Sequence, residues 1–319
     1  MRVCFRVVCA ALLTLTFSLS PMFVSPRSAA ATSAGDILVA DPGSGTIHHY
    51  SASGDDLGVF ARGLSSPSWI TADRIGNIYV SEHDGPRISK FSPAGGDPVL
   101  TITTPYQPGG VRVGTDGTIY VADYFGGKVY RYSATGEDLG LFASTALSPA
   151  DFMAFDAGGN LYVTDWVLEV VRRVSPTGVD LGDFVAGFSG TAGIAFDADG
   201  NLYVASFNNN IVEKYSPSGT DLGTFASLSL DASIKGIAFD ASGNLYVANE
   251  AEGNIHKFSS TGADLGVVAS TDLVDPRDLV IVPVGVAPTV KDECKQDGWQ
   301  SFDPFKNQGD CIQFLNTGK

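Results

Sequence analysis

The sequence predicts an all-β chain folded as a six-bladed β-propeller of four-stranded antiparallel blades, and three observations carry that prediction. One phrase recurs six times: Gly35-Asp-Ile-Leu38-Val-Ala, Gly76-Asn-Ile-Tyr79-Val-Ser, Gly117-Thr-Ile-Tyr120-Val-Ala, Gly159-Asn-Leu-Tyr162-Val-Thr, Gly200-Asn-Leu-Tyr203-Val-Ala and Gly243-Asn-Leu-Tyr246-Val-Ala. From Leu38 onward the intervals are 41, 41, 42, 41 and 43 residues, the length of a four-stranded blade. Charged residues are only 17% of the chain and glycines number 37, a balance that suits short strands and tight turns, and no segment sustains a helical period.

Residues 1–31 read as an export signal. Arg2 and Arg6 flank the start of an apolar run from Val7 to about Leu19, and Ala29-Ala30-Ala31 fits a cleavage site. The run is short for a membrane span and Ser18, Ser20 and Pro21 interrupt it, so no integral membrane domain is expected. The expectation is a secreted protein that begins near Thr32. Loss of Arg2, Arg6 and Arg27 moves the formal net charge from −15 to −18. So acidic a surface repels phosphate backbones, which argues against nucleic acid as a partner.

Residues 32–283 form the propeller. In the last full copies an apolar strand, Gly193-Ile-Ala-Phe-Asp197 or Gly236-Ile-Ala-Phe-Asp240, reaches the Tyr strand through Asp197-Ala-Asp-Gly-Asn201 or Asp240-Ala-Ser-Gly-Asn244. Gly and Asn accept the left-handed dihedrals of tight hairpins. A partly solvated third strand follows, Ile211-Val-Glu-Lys-Tyr215 or Ile255-His-Lys-Phe258, and then an outermost strand, Leu222-Gly-Thr-Phe225 or Leu265-Gly-Val-Val268. The first copy lacks the strand before Leu38, whereas Pro276-Arg-Asp-Leu-Val-Ile-Val-Pro283 is that strand without successors. Pairing the two closes the ring and removes an open edge.

Strand order puts the loops after the Tyr strands on one face with the long inter-blade connections. Their chemistry varies: Glu82-His83-Asp84, Asp123-Tyr124-Phe125, Asp165-Trp166-Val167, Ser206-Phe207-Asn208 and Asn249-Glu250-Ala251. Varied loops on a repeated frame are where a ligand site is expected. The phrases Gly-Asn-Leu-Tyr-Val and Gly-Ile-Ala-Phe-Asp, over about Gly35 to Pro283, resemble the NHL-repeat and SMP-30/gluconolactonase-like propellers, and more loosely the streptogramin lyases. The resemblance implies one of three roles: an extracellular binding domain, a calcium-dependent lactonase or a metal-dependent lyase.

Candidate residues are those that fail to repeat. Acids that recur after the Tyr strands (Asp41, Glu82, Asp123, Asp165) read as caps for turn amides, and Asp197-Ala-Asp199-Gly200-Asn201 reads as a turn rather than a calcium loop. His48, His49 and His256 read as solvated positions on third strands, which leaves only His83 on the varied face and weakens a lyase. Asp151 and Asp278, with Glu82 or Asn249, are candidate oxygen ligands for Ca2+ or another divalent cation, but Lys235 and Arg277 beside them favour ion pairing instead. Trp69, Phe152, Tyr124, Trp166 and Phe207 divide between inter-blade packing and a cleft floor. The candidate ligand-binding set is Glu82, His83, Asp84, Tyr124, Asp151, Trp166, Asn249, Glu250, Arg277 and Asp278, with no catalytic residue assigned.

Past Pro283 the repeat stops. Residues 284–290 read as a linker and 291–319 as a small module in which Cys294 and Cys311, the cysteines left after export, form a disulfide-bonded hairpin. That segment resembles a Cys-Lys-x-x-Gly-Trp to Gly-x-Cys module at the ends of secreted bacterial proteins. The functional expectation is a secreted, monomeric binding module that meets a protein, peptide or carbohydrate through its varied loop face. A divalent-metal-dependent lactone hydrolase is the alternative, and a lyase resembling the streptogramin group is the weaker third.

Overall fold

The computed structural model describes residues 30–229 and 231–283. The export signal over its first 29 positions, the linker and the disulfide module with Cys294 and Cys311 lie outside the described residues. Within them every regular element is a strand, and twenty-four strands form six four-stranded antiparallel sheets. The innermost strands are Pro67–Ala72, Pro108–Val113, Met153–Phe155, Thr191–Phe196, Ile234–Phe239 and Asp278–Ile281. The Tyr strands beside them are Ile37–Asp41, Ile78–Glu82, Ile119–Asp123, Leu161–Asp165, Leu202–Ser206 and Leu245–Asn249. The blades are numbered one to six by these Tyr strands.

Closure is as expected from the two half-blades. Asp278–Ile281 pairs antiparallel with Ile37–Asp41 in the register Ile37 to Ile281 and Ala40 to Asp278, so both ends of the ring share one sheet. Backbone bonds from Arg277 N to Ala40 O (3.0 Å) and from Val282 N to Asp36 O (2.8 Å) extend the seam beyond the ladder at both ends. Ile37–Asp41 thereby has a partner on its inner side, as the other five Tyr strands do.

The repeated phrases meet in space, which explains why they repeat. Tyr203 places its ring edge-on to Phe225 of its own outer strand (4.8 Å) and to Phe239 of the next blade (4.7 Å). Its hydroxyl donates to Asp197 Oδ2 (3.0 Å), which also accepts from the Asn201 side-chain amide (2.8 Å) and pairs with Lys214 (3.5 Å). Lys214 in turn lies over the Tyr203 ring, 5.0 Å from its centroid. The same unit recurs around Asp240, Asn244, Tyr246 and Lys257. Each such ring buries an apolar face worth about 2 kcal/mol while its polar edge stays bonded.

Blade one departs from this unit and corrects the reading of its histidines. Leu38 and His49 occupy the cross-strand pair that Tyr203 and Lys214 fill in blade five. His48 and His49 are buried, not solvated. With no tyrosine to shelter, His49 turns to Asp36, Nε2 to Oδ2 at 2.7 Å, and packs against Phe60. His256 stays partly exposed near Asp264, at 3.6 Å.

Candidate functional site

The acids after the Tyr strands hold the loop face together. Asp41 accepts from Val274 N (2.8 Å) and Asp275 N (3.0 Å), Glu82 from Ser65 N (2.7 Å), and Asp165 from Ser148 N (2.8 Å). Asn249 Oδ1 accepts from Ser233 N (3.0 Å), and the Ser206 hydroxyl donates to Ser189 O (2.8 Å). Each residue therefore clamps the incoming inter-blade connection to the loop after its own strand. The side chain serves a backbone N–H, or at Ser206 a carbonyl, that lies beyond the end of the sheet ladder.

Those clamped connections deliver the innermost strands to the axis. Gly110 N donates to Asp151 O and Gly236 N to Arg277 O, each at 2.8 Å, so one blade's inner strand abuts the start of the next. A Cβ on Gly110 or Gly236 would collide with that neighbouring chain, which explains why both positions lack a side chain. The residues on the far side of these contacts, Asp151 and Arg277, are thereby brought to the mouth of the ring.

A cavity of about 350 Å³ opens there, lined by Tyr124, Asp151, Phe152, Trp166, Thr191, Ala192, Phe207, Lys235 and Arg277. Its residues come from blades three to six and from the closing strand. Trp69 lies beneath, fully buried, against Tyr124 (5.7 Å), Phe152 (6.2 Å) and His83 (5.4 Å), with the Arg277 guanidinium over its ring at 5.2 Å. Lys235 spans the opposite side, its ammonium 4.4 Å from the Phe207 centroid and 3.2 Å from Glu250 Oε2. Trp166 is 40% exposed and donates its indole N–H to the Tyr124 hydroxyl at 3.2 Å.

Asp151 is the unusual group. It is 3% exposed, and its Oδ1 makes no hydrogen bond. Burial pushes its carboxyl up to about 6, against the pull of Arg277, Lys235 and the Trp69 indole N–H. The indole is near enough to act electrostatically, yet Trp69 Nε1 and Asp151 Oδ1 form no well-directed bond and both remain unpartnered. Thr191 Oγ1, also buried in the lining, is likewise unpartnered.

Of the expected site residues, Tyr124, Asp151, Trp166 and Arg277 meet in this cavity, and Glu250 reaches its rim through Lys235. His83 backs the floor, half-buried against Tyr124 at 4.8 Å, and burial holds its pKa below the ordinary histidine value. Glu82 and Asn249 are structural clamps: Glu82 is further taken up by Arg87 (2.6 Å) and the Ser89 hydroxyl (2.6 Å), and Asn249 by Glu252 (3.0 Å). Asp84 is exposed and outside the lining.

Asp278 is not ion-paired with Lys235 or Arg277 as the sequence suggests. It accepts from Ile70 N (3.1 Å) and Leu279 N (2.9 Å), and burial raises it to about 6 against the nearby Arg112. Asp151 too feels the two cations without touching them, because Lys235 turns to Glu250 and Arg277 to Trp69. Lys235, Phe152, Phe207 and Thr191 belong to the lining but stand outside the expected set. The signal for Lys235 is that a lysine precedes Gly236 where the matching positions are Gly109 and Ala192.

No family model matches the chain, and no curated protein matches it. Among solved structures the chain is similar to one from a nidogen/laminin complex (TM-score 0.68, 17% identity, covering 77% of this chain and 98% of that one). It is also similar to streptogramin B lyase (TM-score 0.62, 15% identity, 80% and 88%) and to a protein proposed to be a gluconolactonase (TM-score 0.58, 16% identity, 67% and 81%). These likenesses establish the six-bladed fold, which binding and enzymatic propellers share.

Proposed function

We propose that the protein is an exported binding module whose contact site is the axial cavity on the varied loop face, and that its ligand joins an anionic group to an apolar body. The observation that carries this reading is the placement of Lys235 and Arg277 within one cavity walled by Tyr124, Phe152, Trp166 and Phe207. In a chain of net charge −15, the mouth sets two cations beside Asp151 and Glu250, so that a ligand's anion meets Lys235 and Arg277 at a place where the acids are already matched. Aromatic walls supply the apolar contact and the cations fix orientation. The signal-like sequence of residues 1–31 and the expectation of a Cys294–Cys311 disulfide support an extracellular place of work.

Calorimetric titration with small aromatic and aliphatic carboxylates tests the reading. Binding to the unaltered protein, weakened at least about tenfold in Lys235→Met, corresponds to loss of one ion pair of about 1.4 kcal/mol. Equal binding by the variant would remove the proposal.

A metal-dependent lactone hydrolase has less support. Among the described residues no group of three His, Cys, Asp or Glu is placed to hold a metal ion. Glu82, Asn249 and Asp278 are committed to backbone amides, and Lys235 and Arg277 stand where a cation would sit. A rise in thermal stability with Ca2+ that depends on Asp151 would reverse this preference.

A further inference from the structure

We infer that the axial cavity takes the free C-terminus of a peptide chain, with the apolar residues preceding that terminus lying across Trp166, Val167, Leu168 and Phe125. The inference rests on the cavity being the ligand site and goes on to say what enters it.

The cavity, at about 350 Å³, lies at the low end of the range of about 300 to 1,000 Å³ for sites that enclose small ligands, and so has room for a terminal residue. Its polar groups then describe that residue. Lys235 and Arg277 are suited to a carboxylate. The buried, unpartnered Asp151 Oδ1 calls for a donor such as the amide N–H next to that carboxylate. The unpartnered Thr191 hydroxyl can donate to the carboxylate or accept from the same amide. Phe152, Phe207 and Ala192 leave an apolar wall for the side chain. A carboxylate, an adjacent N–H and an apolar side chain are the parts of a C-terminal residue.

Outside the cavity the surface continues in the same character. Trp166 is 40% exposed, Val167 and Leu168 are each 56%, and Phe125 is 63%. These side chains sit on the loops of adjacent blades, and Ser148 ties the loops together, its N–H to Asp165 (2.8 Å) and its hydroxyl to Phe125 O (3.2 Å). Asp165 also receives Val167 N and Leu168 N at 2.8 Å each. The loops are thus fixed in a form that presents four large apolar side chains to water. Such a patch marks a contact surface. A saccharide would need polar groups along this path, but the local amides are already spent on Asp165, so an apolar peptide segment fits it better.

The test uses the full chain and a pool of hexapeptides carrying Leu, Val, Phe or Met at the last three positions, as free acids and as C-terminal amides, followed by calorimetry and tryptophan fluorescence. Free acids should bind at least about tenfold more tightly than amides, and Lys235→Met should remove that difference. Replacing Phe125 and Leu168, exposed and outside the cavity lining, together by Ala should weaken the hexapeptide acids about tenfold while leaving N-acetyl-leucine unchanged. Equal binding of acids and amides, or N-acetyl-leucine binding as tightly as the hexapeptides, overturns the peptide assignment. Lys235-dependent binding of a sugar acid without binding of the pool also overturns it but leaves the cavity reading standing. Failure of every carboxylate removes both.

Discussion

Asp197 and Asp151 lie at opposite ends of the blades and show how one residue type serves frame and site. On the turn face burial pushes Asp197 upward, but Asn201, Tyr203 and Lys214 outweigh it and leave the carboxyl below its ordinary value. At the axial mouth burial wins over Arg277 and Lys235, and Asp151 rises to about 6 with an oxygen unpartnered. The turn carboxylates are built with their bonding satisfied, blade after blade. The mouth carboxylate is buried without full satisfaction, a cost that a ligand's donor can offset.

The largest test removes the closing strand. Deletion of residues 276–283 takes away the inner strand of blade one and should abolish cooperative unfolding in a thermal melt, affecting both ends of the molecule together. A sharp transition at the original temperature would break the picture of one closed ring.

Asp151→Asn comes next, and its sign depends on pH. Asp151 binds its proton more tightly folded than unfolded, so its effect is absent below about pH 4 and its ionisation costs stability as pH rises through about 6. Relative to the unaltered protein, Asp151→Asn should therefore gain up to about 3 kcal/mol between pH 4 and pH 8 in urea unfolding. A difference that is flat with pH would show Asp151 to be an ordinary carboxylate.

Asp197→Ala should cost about 2 kcal/mol at pH 7 through loss of hydrogen bonds to a charged group, without altering carboxylate binding. Here the slope is reversed: Asp197 is held below its ordinary value, so its contribution is present above about pH 4 and is lost as pH falls further. Chemical unfolding at pH 7 and pH 3 separates the two carboxylates. Smallest of all, Trp166→Ala should cost about 1 kcal/mol, since the ring is 40% exposed and held by its N–H to Tyr124 and an edge contact with Phe207. A larger loss would move Trp166 from contact surface to frame.

What the sequence reveals follows the same division. The Asp-Asn-Tyr unit is legible because four blades solve the same packing problem with it, three of them adding a lysine, so its answer is written repeatedly. Closure is legible from the missing strand before Leu38 and the extra one after Pro276. The mouth is less so, because its residues are singular and their relation depends on the geometry of the whole ring. Asp151, Tyr124, Trp166 and Arg277 are found as non-repeating residues, yet Lys235 reads as a repellent of metal rather than as a lining group. Glu82 reads both as a turn cap and, with Asn249, as a possible oxygen ligand, and the folded chain uses both as clamps. His49 misleads for a similar reason: its burial is set by Asp36 and Phe60, and only the folded blade brings those to it.

The seam between Ile37–Asp41 and Asp278–Ile281 also sets the order in which the site can come into being. Five blades can zip from neighbouring segments as the chain emerges, but Arg277 arrives with the last strand, when the two ends meet. Until then the cavity lacks one wall and one of its two cations. On the proposed reading, binding competence therefore belongs to the finished ring, and a chain halted before that strand would lack both the complete cavity and the closed, cooperative ring.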